Sequence, residues 1–286
     1  MKWLKLFFKI ILFLMVVVFF VEMVLMLTKG DSTIILKKPH ILVVELNGVI
    51  VDSKKVIKKL ERATKDENIK GVILKINSPG GAVAPSQEIY KFIRNMKKPV
   101  YAAISTLGAS GGYYVASACD KIFALSGSIT GSIGVIMKFS NLKELYNKIG
   151  IKVVTIKSGK FKDIGSSSRE MTKEEKKLLE NAIMDVYNQF IEDILKTRNI
   201  KRELLLKYAD GRIITGNQAK KIGLVDAIGT YRDAFVSMKK DFHFTNDVIL
   251  FEPEERKGVL KELLDGITHI KMKFEETGIF YYLYEN

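Results

Sequence analysis

Val100-Tyr101-Ala102-Ala103-Ile104 leads through Ser105-Thr106-Leu107 into Gly108-Ala109-Ser110-Gly111-Gly112-Tyr113-Tyr114. The first run is apolar and suited to a strand. Glycines then crowd a serine, and the residues beyond Ser110 suit a helix. Strand, glycine turn and helix in that order form the repeating unit of an α/β domain with a largely parallel sheet. The alternation continues on both sides. Residues 41–46, 71–76 and 121–125 read as strands, and 53–63 and 86–96 as helices. Residues 153–156 and 223–225 are expected to add two further strands. Thr172 followed by Glu175 is a capping box that opens a long helix reaching to about Thr197. There is no strict sequence repeat and no low-complexity linker.

The chain has 286 residues and is 47% hydrophobic, enough for a real core and too much for global disorder. Its net charge of +14 rests mostly on lysine. The lysines are interspersed with acids, as in Lys173-Glu174-Glu175-Lys176-Lys177, and no zinc-finger or RNA-binding signature accompanies them. The excess is read as solvated surface, not as a nucleic-acid interface. No P-loop and no metal-ligand cluster occurs, so neither cofactor nor metal is expected. The single cysteine, Cys119, cannot form an internal disulfide and reads as an apolar filler.

Residues 6–27 are almost wholly apolar, with Lys9 near the start and Glu22 near the end. At 1.5 Å per residue the segment is roughly 33 Å long as a helix, enough to cross a hydrocarbon core. Lys2, Lys5 and Lys9 precede it, which retains the amino end in the cytoplasm and exports the body. Thr28-Lys29-Gly30-Asp31-Ser32 offers no small-x-small cleavage site, so an uncleaved anchor is expected in place of a signal peptide. The expected division is 1–30 for a cytoplasmic stub and transmembrane anchor, 31–250 for the main domain and 251–286 for a tail. In the tail Val259, Leu260, Leu263, Leu264, Ile267 and Ile270 recur at helical spacing. The final apolar residues, 279–284, are expected to cover something.

Three glycine-rich spots stand at the ends of expected strands. In Asn77-Ser78-Pro79-Gly80-Gly81, proline fixes one turn residue and paired glycines permit positive φ, so that backbone N–H groups can be aimed at a developing oxyanion. Ser110, after a strand and before a helix, is placed for nucleophilic attack, with a helix N-terminus favouring negative charge nearby. A hydroxyl nucleophile needs a base. His40 follows the anchor, His243 and His269 lie in the late lysine-rich region, and none sits in a recognisable catalytic context. Lysine is the alternative. Its pKa would have to fall from about 10.4 toward 7, a cost to the protonated form of roughly 4–5 kcal/mol that burial away from carboxylates could supply. The third spot, Ser158-Gly159-Lys160-Phe161-Lys162-Asp163-Ile164-Gly165, offers two lysines.

In this order, Asn77–Gly81, Gly108–Tyr114, Gly131-Ser132-Ile133-Gly134-Val135 and Ser158–Gly165 resemble the signal peptide peptidase A family in its short, single-domain form. The later Asp210-Gly211-Arg212, Thr215-Gly216 and Gly223-Leu224-Val225-Asp226 extend the likeness, which covers about residues 40–235. The resemblance implies a Clp protease/crotonase-like fold and a Ser-Lys dyad. Ser110 matches the nucleophile. Lys162, directly before the Asp-Ile of the lysine motif, matches the general base. Ser132 matches a serine that orients the lysine, and Gly81 an oxyanion-hole donor, with the Gly111 amide as a second. The plain structural alternatives are a helix N-cap for Ser110, a surface lysine paired with Asp163 for Lys162, and turn residues for Ser132 and Gly81. Tyr113 and Tyr114 read as core residues.

The resemblance further implies a membrane-anchored serine endopeptidase acting outside the cytoplasm. Its substrates would be cleaved signal peptides and other membrane-associated peptides, and its homo-oligomers would let neighbouring subunits share one site. The alternatives are a related Ser-Lys protease cutting stomatin-type membrane proteins, a crotonase-like acyl-CoA enzyme, and a non-catalytic membrane scaffold.

Overall fold

The computed structural model describes residues 2–28, 38–253 and 281–283, with side chains of the first helix described at Trp3 and 5–20. Two compact units, Met1–Lys37 and Lys38–Asn286, divide the chain. The first contains helix α1, Lys2–Thr28. Its apolar side chains from Leu6 to Phe20 are exposed around the whole helix. Among the described residues no helix is long and apolar enough to cross a membrane. The expected span, 6–27, extends past the last described side chain of α1.

The second unit begins with β1 (His40–Asn47), α2 (Lys54–Lys65), β2 (Ile69–Ser78), β3 (Gly80–Ala82) and α3 (Val83–Arg94). Strand β4 (Val100–Ala109), helix α4 (Gly111–Ser117), β5 (Lys121–Ala124), β6 (Ile129–Gly131) and α5 (Lys143–Lys148) follow. The later elements are α6 (Lys173–Thr197), α7 (Arg202–Tyr208), β7 (Ile213–Thr215), α8 (Gly216–Ile222), β8 (Ala227–Ile228), α9 (Tyr231–Asp241), β9 (Ile249–Phe251) and β10 (Tyr281–Leu283). The main sheet runs β7-β6-β4-β2-β1-β9, with β5 joining β4 to β8. Every pairing in it is parallel except β6 with β7. The expected α/β class with a largely parallel sheet is therefore what forms.

Helices cover both faces, so the central strands are apolar on both sides. Leu42, Val44, Val72, Leu74, Ala102 and Ile104 pack into the larger cluster with side chains of α2, α3, α4 and α6. The alternate residues Ile41, Ile73, Tyr101 and Ala103 meet Ala234 and Met238 of α9 on the other face. Period-two alternation feeds two cores from the same three strands. Helix α6 starts at the expected capping box: the Thr172 side chain accepts from Glu175 N–H, and the Glu175 carboxylate accepts from Thr172 N–H. The same device opens α8 and α9.

Two expected strands are corrected. Residues 153–156 form no strand, and Val154 and Ile156 stand 83% and 97% exposed. Apolar composition alone cannot make a strand without a neighbour to pair with. Residues 223–225 are not a strand either. Gly223 ends α8 in the left-handed conformation at φ 86°, and the short strand begins only at Ala227. The expected amphipathic tail helix over 259–270 lies outside the described residues.

Phe190 of α6 is fully buried, its ring edge-on to Tyr114 of α4 at 4.8 Å between centroids. Phe190→Ala is expected to lower the unfolding free energy by about 3–5 kcal/mol through the cavity it leaves. Urea denaturation followed by circular dichroism measures this.

Candidate active site

The parallel strands β2, β4 and β6 end on the same side of the sheet, and the candidate residues cluster there. Ser78 lies opposite Gly108, and Ala109 opposite Gly131. Ser110 N–H donates to Gly131 O at 2.8 Å, and Ser132 N–H to Arg212 O at 2.8 Å. Gly112 sits so close to β2 that a Cβ there would lie 2.7 Å from Ser78 O. The ends of three strands and the start of α4 thus converge within backbone contact distance.

Ser110 is buried and adopts φ 53°, ψ −118°, a sparsely populated conformation for a residue with a Cβ. Ser132 also has positive φ, at 48°. Among the described residues these two serines and His243 are the non-glycine positions with positive φ. A strained backbone of this kind costs on the order of 1–3 kcal/mol and persists where its surroundings over-determine it. At Ser110 the N–H bond to Gly131 and the bond from Tyr114 N–H to Ser110 O, both 2.8 Å, hold the turn. Ser110 occupies the N-cap position of α4, yet its side chain makes no capping bond. That removes the N-cap explanation for a serine here.

Strand β3 builds the second wall. Ile50 N–H donates to Gly80 O at 2.8 Å, and Ala82 N–H donates to Ile50 O at 2.7 Å. Successive residues of an extended chain point their polar groups to opposite edges, so the Gly81 N–H and C=O face away from Ile50. On that edge lies β10, antiparallel, with Tyr282 opposite Gly81. The expectation that the apolar terminus covers something is met at this position. A side chain at position 81 is impossible, since its Cβ would lie 2.2 Å from Ile50 O. Ser78, which the sequence reading left without a role, holds the turn: its hydroxyl donates to Gly48 O at 2.6 Å and accepts from Gly80 N–H at 3.1 Å. The only sequence signal for this was its place inside the Asn77–Gly81 motif.

Lys162 lies in a series of turns at 159–166 and is exposed. Its N–H donates to Gly159 O at 3.1 Å. Among the described residues its amine has no hydrogen-bond or ion-pair partner, and neither Ser110 nor Ser132 touches it by hydrogen bond. The structure brings together Ser110, Ser132, Gly81 and Gly111, and not Lys162. Asp163, the partner that the surface-lysine explanation requires, is engaged elsewhere. Its Oδ1 accepts from Arg169 Nη2 at 2.9 Å and Lys157 Nζ at 2.5 Å, and its Oδ2 from Arg169 Nε at 2.9 Å.

Two histidines stand at the wrong end of the sheet. His40 is buried at the start of β1, its Nδ1 paired with Lys38 O at 2.9 Å and its ring against Phe251. His243 follows α9, whose Asp241 accepts from the Tyr101 hydroxyl at the start of β4. Parallel strands put those starts at the edge opposite Ser110, about 25 Å away along an eight-residue strand. His269 lies outside the described residues. Cys119 is fully buried and burial pushes its thiol pKa up, so it is a core filler and no nucleophile. Tyr113 and Tyr114 are core residues whose hydroxyls donate to Leu224 O and to the Asp193 carboxylate. No group of acidic, histidine or cysteine side chains suited to a metal occurs among the described residues.

A parallel sheet whose strand ends present a strained serine beside glycine N–H groups defines a class, the serine proteases on a Clp-type fold, and residues 32–130 match the Clp protease family. Residues 93–245 match peptidase family S49, and the chain belongs to that family, in its signal peptide peptidase A branch. A Methanocaldococcus jannaschii protein named as a protease is 41% identical over 211 residues, 73% of this chain and 68% of that one. An Enterococcus faecium protein named for signal peptide peptidase SppA is 38% identical over 221 residues, 72% of this chain and 64% of its own length. The chloroplastic serine protease SPPA of Arabidopsis thaliana is 32% identical over 225 residues, covering 77% of this chain but 33% of that protein.

The loop carrying Lys162 is tied to α6 by charge. Arg169 bridges Asp163 and Glu175, holding the Asp163 carboxyl well below its ordinary range and lowering Glu175 from 4.5 to about 2. A carboxyl depressed by folding stabilises above its unfolded pKa, and the benefit is lost as pH falls through the folded value. The melting temperature of wild type should therefore fall between about pH 4.5 and pH 2, and Glu175→Gln should flatten that fall. Calorimetric melts across this window test it.

Proposed function

We propose that this S49 protease hydrolyses peptide bonds through an acyl-enzyme on Ser110, with Lys162 as general base. One observation carries the nucleophile: a buried serine in a strained turn that makes no capping bond. Neutral Lys162 takes the hydroxyl proton as Oγ attacks, and the Gly81 and Gly111 amides stabilise the oxyanion. Lys162 then returns the proton to the leaving amine and afterwards activates water. Ser132, one residue beyond the carbonyl that holds Ser110 N–H, orients the lysine.

The exposed position of Lys162 favours a site completed by a second copy of the chain. A neutral amine requires a desolvated setting. Beside this loop, Ile149, Ile151, Val153, Val154 and Ile156 expose a run of apolar side chains that a partner would cover. Burial by a neighbour would remove Lys162 from water and bring it to that neighbour's Ser110. Substrate peptides would lie extended along β3 in place of β10, where main-chain bonding gives affinity without sequence preference. Cleaved signal peptides and other membrane-associated peptides suit such a groove. This favours a peptidase over a crotonase-like enzyme or a non-catalytic scaffold. The choice between signal-peptide remnants and stomatin-type proteins rests on substrate profiling.

The membrane anchor belongs to the same reading. Helix α1 is apolar around its whole described circumference, the pattern of a lipid-facing segment, with lysines at its amino end only. The protein would sit in the cell membrane with its amino end cytoplasmic and its protease unit outside.

Ser110→Ala and Lys162→Ala are each expected to cut peptide hydrolysis at least about 10³-fold. A fluorophosphonate probe should label wild type and not Ser110→Ala. Mixing the two inactive variants should restore activity, because some shared sites then receive one intact serine and one intact lysine. Full activity in Lys162→Ala would overturn the base assignment, and no rescue on mixing would overturn the shared site. Alkaline carbonate should leave the full-length protein in the membrane pellet; its release would overturn the anchor.

A further inference from the structure

The turn that carries Lys162 has no helix or strand to hold it. One guanidinium joins it to two carboxylates at once. Arg169 Nε and Nη2 grip the two oxygens of Asp163, each at 2.9 Å, and Nη2 also reaches Asp163 O at 3.2 Å. Nη1 and Nη2 grip the Glu175 carboxylate at 2.8 and 2.5 Å, and Nη1 donates to Glu170 O at 3.0 Å. The Glu175 side chain is 4% exposed and that of Asp163 is 12% exposed. Glu175 Oε2 also accepts from Thr172 N–H at 2.8 Å, so the same carboxylate closes the capping box of α6. Lys157 completes the set, donating to Asp163 at 2.5 Å and to Lys160 O at 2.9 Å.

The arrangement couples position to charge. Asp163 follows Lys162 directly in the chain, and a bare carboxylate there would favour the protonated amine. Here two cations occupy both its oxygens. The charged groups that meet this loop are Lys157, Lys160, Asp163 and Arg169 from the loop itself, and Glu174 and Glu175 from α6. Lys143 and Glu170, paired at 3.9 Å, flank it near α5. Lys160 pairs with Glu174, which leaves Arg169 as the group that neutralises Asp163 and Glu175 together.

We propose that Arg169 is a positioning residue for the general base. It fixes the Lys162 turn on the first turn of α6 and keeps the neighbouring Asp163 carboxylate from pairing with the base amine. This rests on the assignment of Lys162 as base. A bidentate fork is required for the first task, which a lysine cannot supply, whereas any cation at this position serves the second.

The test uses full-length protein and an internally quenched peptide, with kcat and KM measured across pH. Arg169→Met is expected to lower kcat by about 10²-fold, the scale of a misplaced catalytic group, with KM little changed. The acid limb of kcat/KM should move to higher pH, because Asp163 then keeps Lys157 alone as its cation. Arg169→Lys should return the limb toward wild type without full recovery of kcat. In Arg169→Met/Asp163→Asn the limb should return while kcat stays low. Should Arg169→Met not fold, Asp163→Asn alone carries the test: the limb should move to lower pH, because Arg169 and Lys157 then outweigh the remaining carboxylate. A folded Arg169→Met with an unmoved limb, or a limb unmoved in Asp163→Asn, overturns the proposal. Lys162→Ala run beside them separates the two failures: activity there sinks the base assignment, whereas inactivity there with unmoved limbs sinks the clamp alone.

Discussion

One backbone hydrogen bond, from Ser110 N–H to Gly131 O, fixes the geometry on which the rest of the site depends. It is the last rung between β4 and β6 and the first restraint on the turn into α4. Because β2 pairs with the other edge of β4, the same strand end also aligns Ser78 and the β3 turn. The serine is therefore placed by main-chain pairing from both sides. This needs glycine wherever two backbones come close, as at Gly81 against Ile50 and Gly112 against Ser78. Side-chain variation elsewhere on the sheet can leave this frame untouched.

Much of the fold was legible because strands buried on both faces are written as unbroken apolar runs. Short apolar runs announced β1, β2, β4 and β5, and the Thr172/Glu175 box set the start of α6 at the observed residue. The failures have a common cause. Residues 153–156 have strand composition but no partner in the chain, and pairing is a property of two segments. Residues 223–225 look like a strand because Leu224 and Val225 are apolar, yet both are buried by the turn closing α8. At the site, Ser110, Ser132, Gly81 and Gly111 stood out through glycine patterning and family likeness. Ser78 and Arg169 did not, since the first acts through a single hydroxyl and the second through carboxylates on either side of it in sequence.

The two halves of the proposed chemistry are built in different ways. The serine half is buried, rigid and made from strand ends. The lysine half is an exposed series of turns held by ion pairs. Hydrogen-bonded sheet is insensitive to salt, whereas charge pairs at partly exposed sites weaken as ionic strength rises. The halves thus respond differently to the same medium, and solution conditions act on the Lys162 loop more than on the Ser110 turn.

The unusual backbone of Ser110 has a consequence for how this protein is kept. A residue without a Cβ would sit in that conformation at lower cost, so folding on its own would favour glycine at position 110. The hydroxyl is held there against the thermodynamic preference of the chain. Without the chemistry proposed for it, the position would be free to drift toward a sturdier molecule with the same outline.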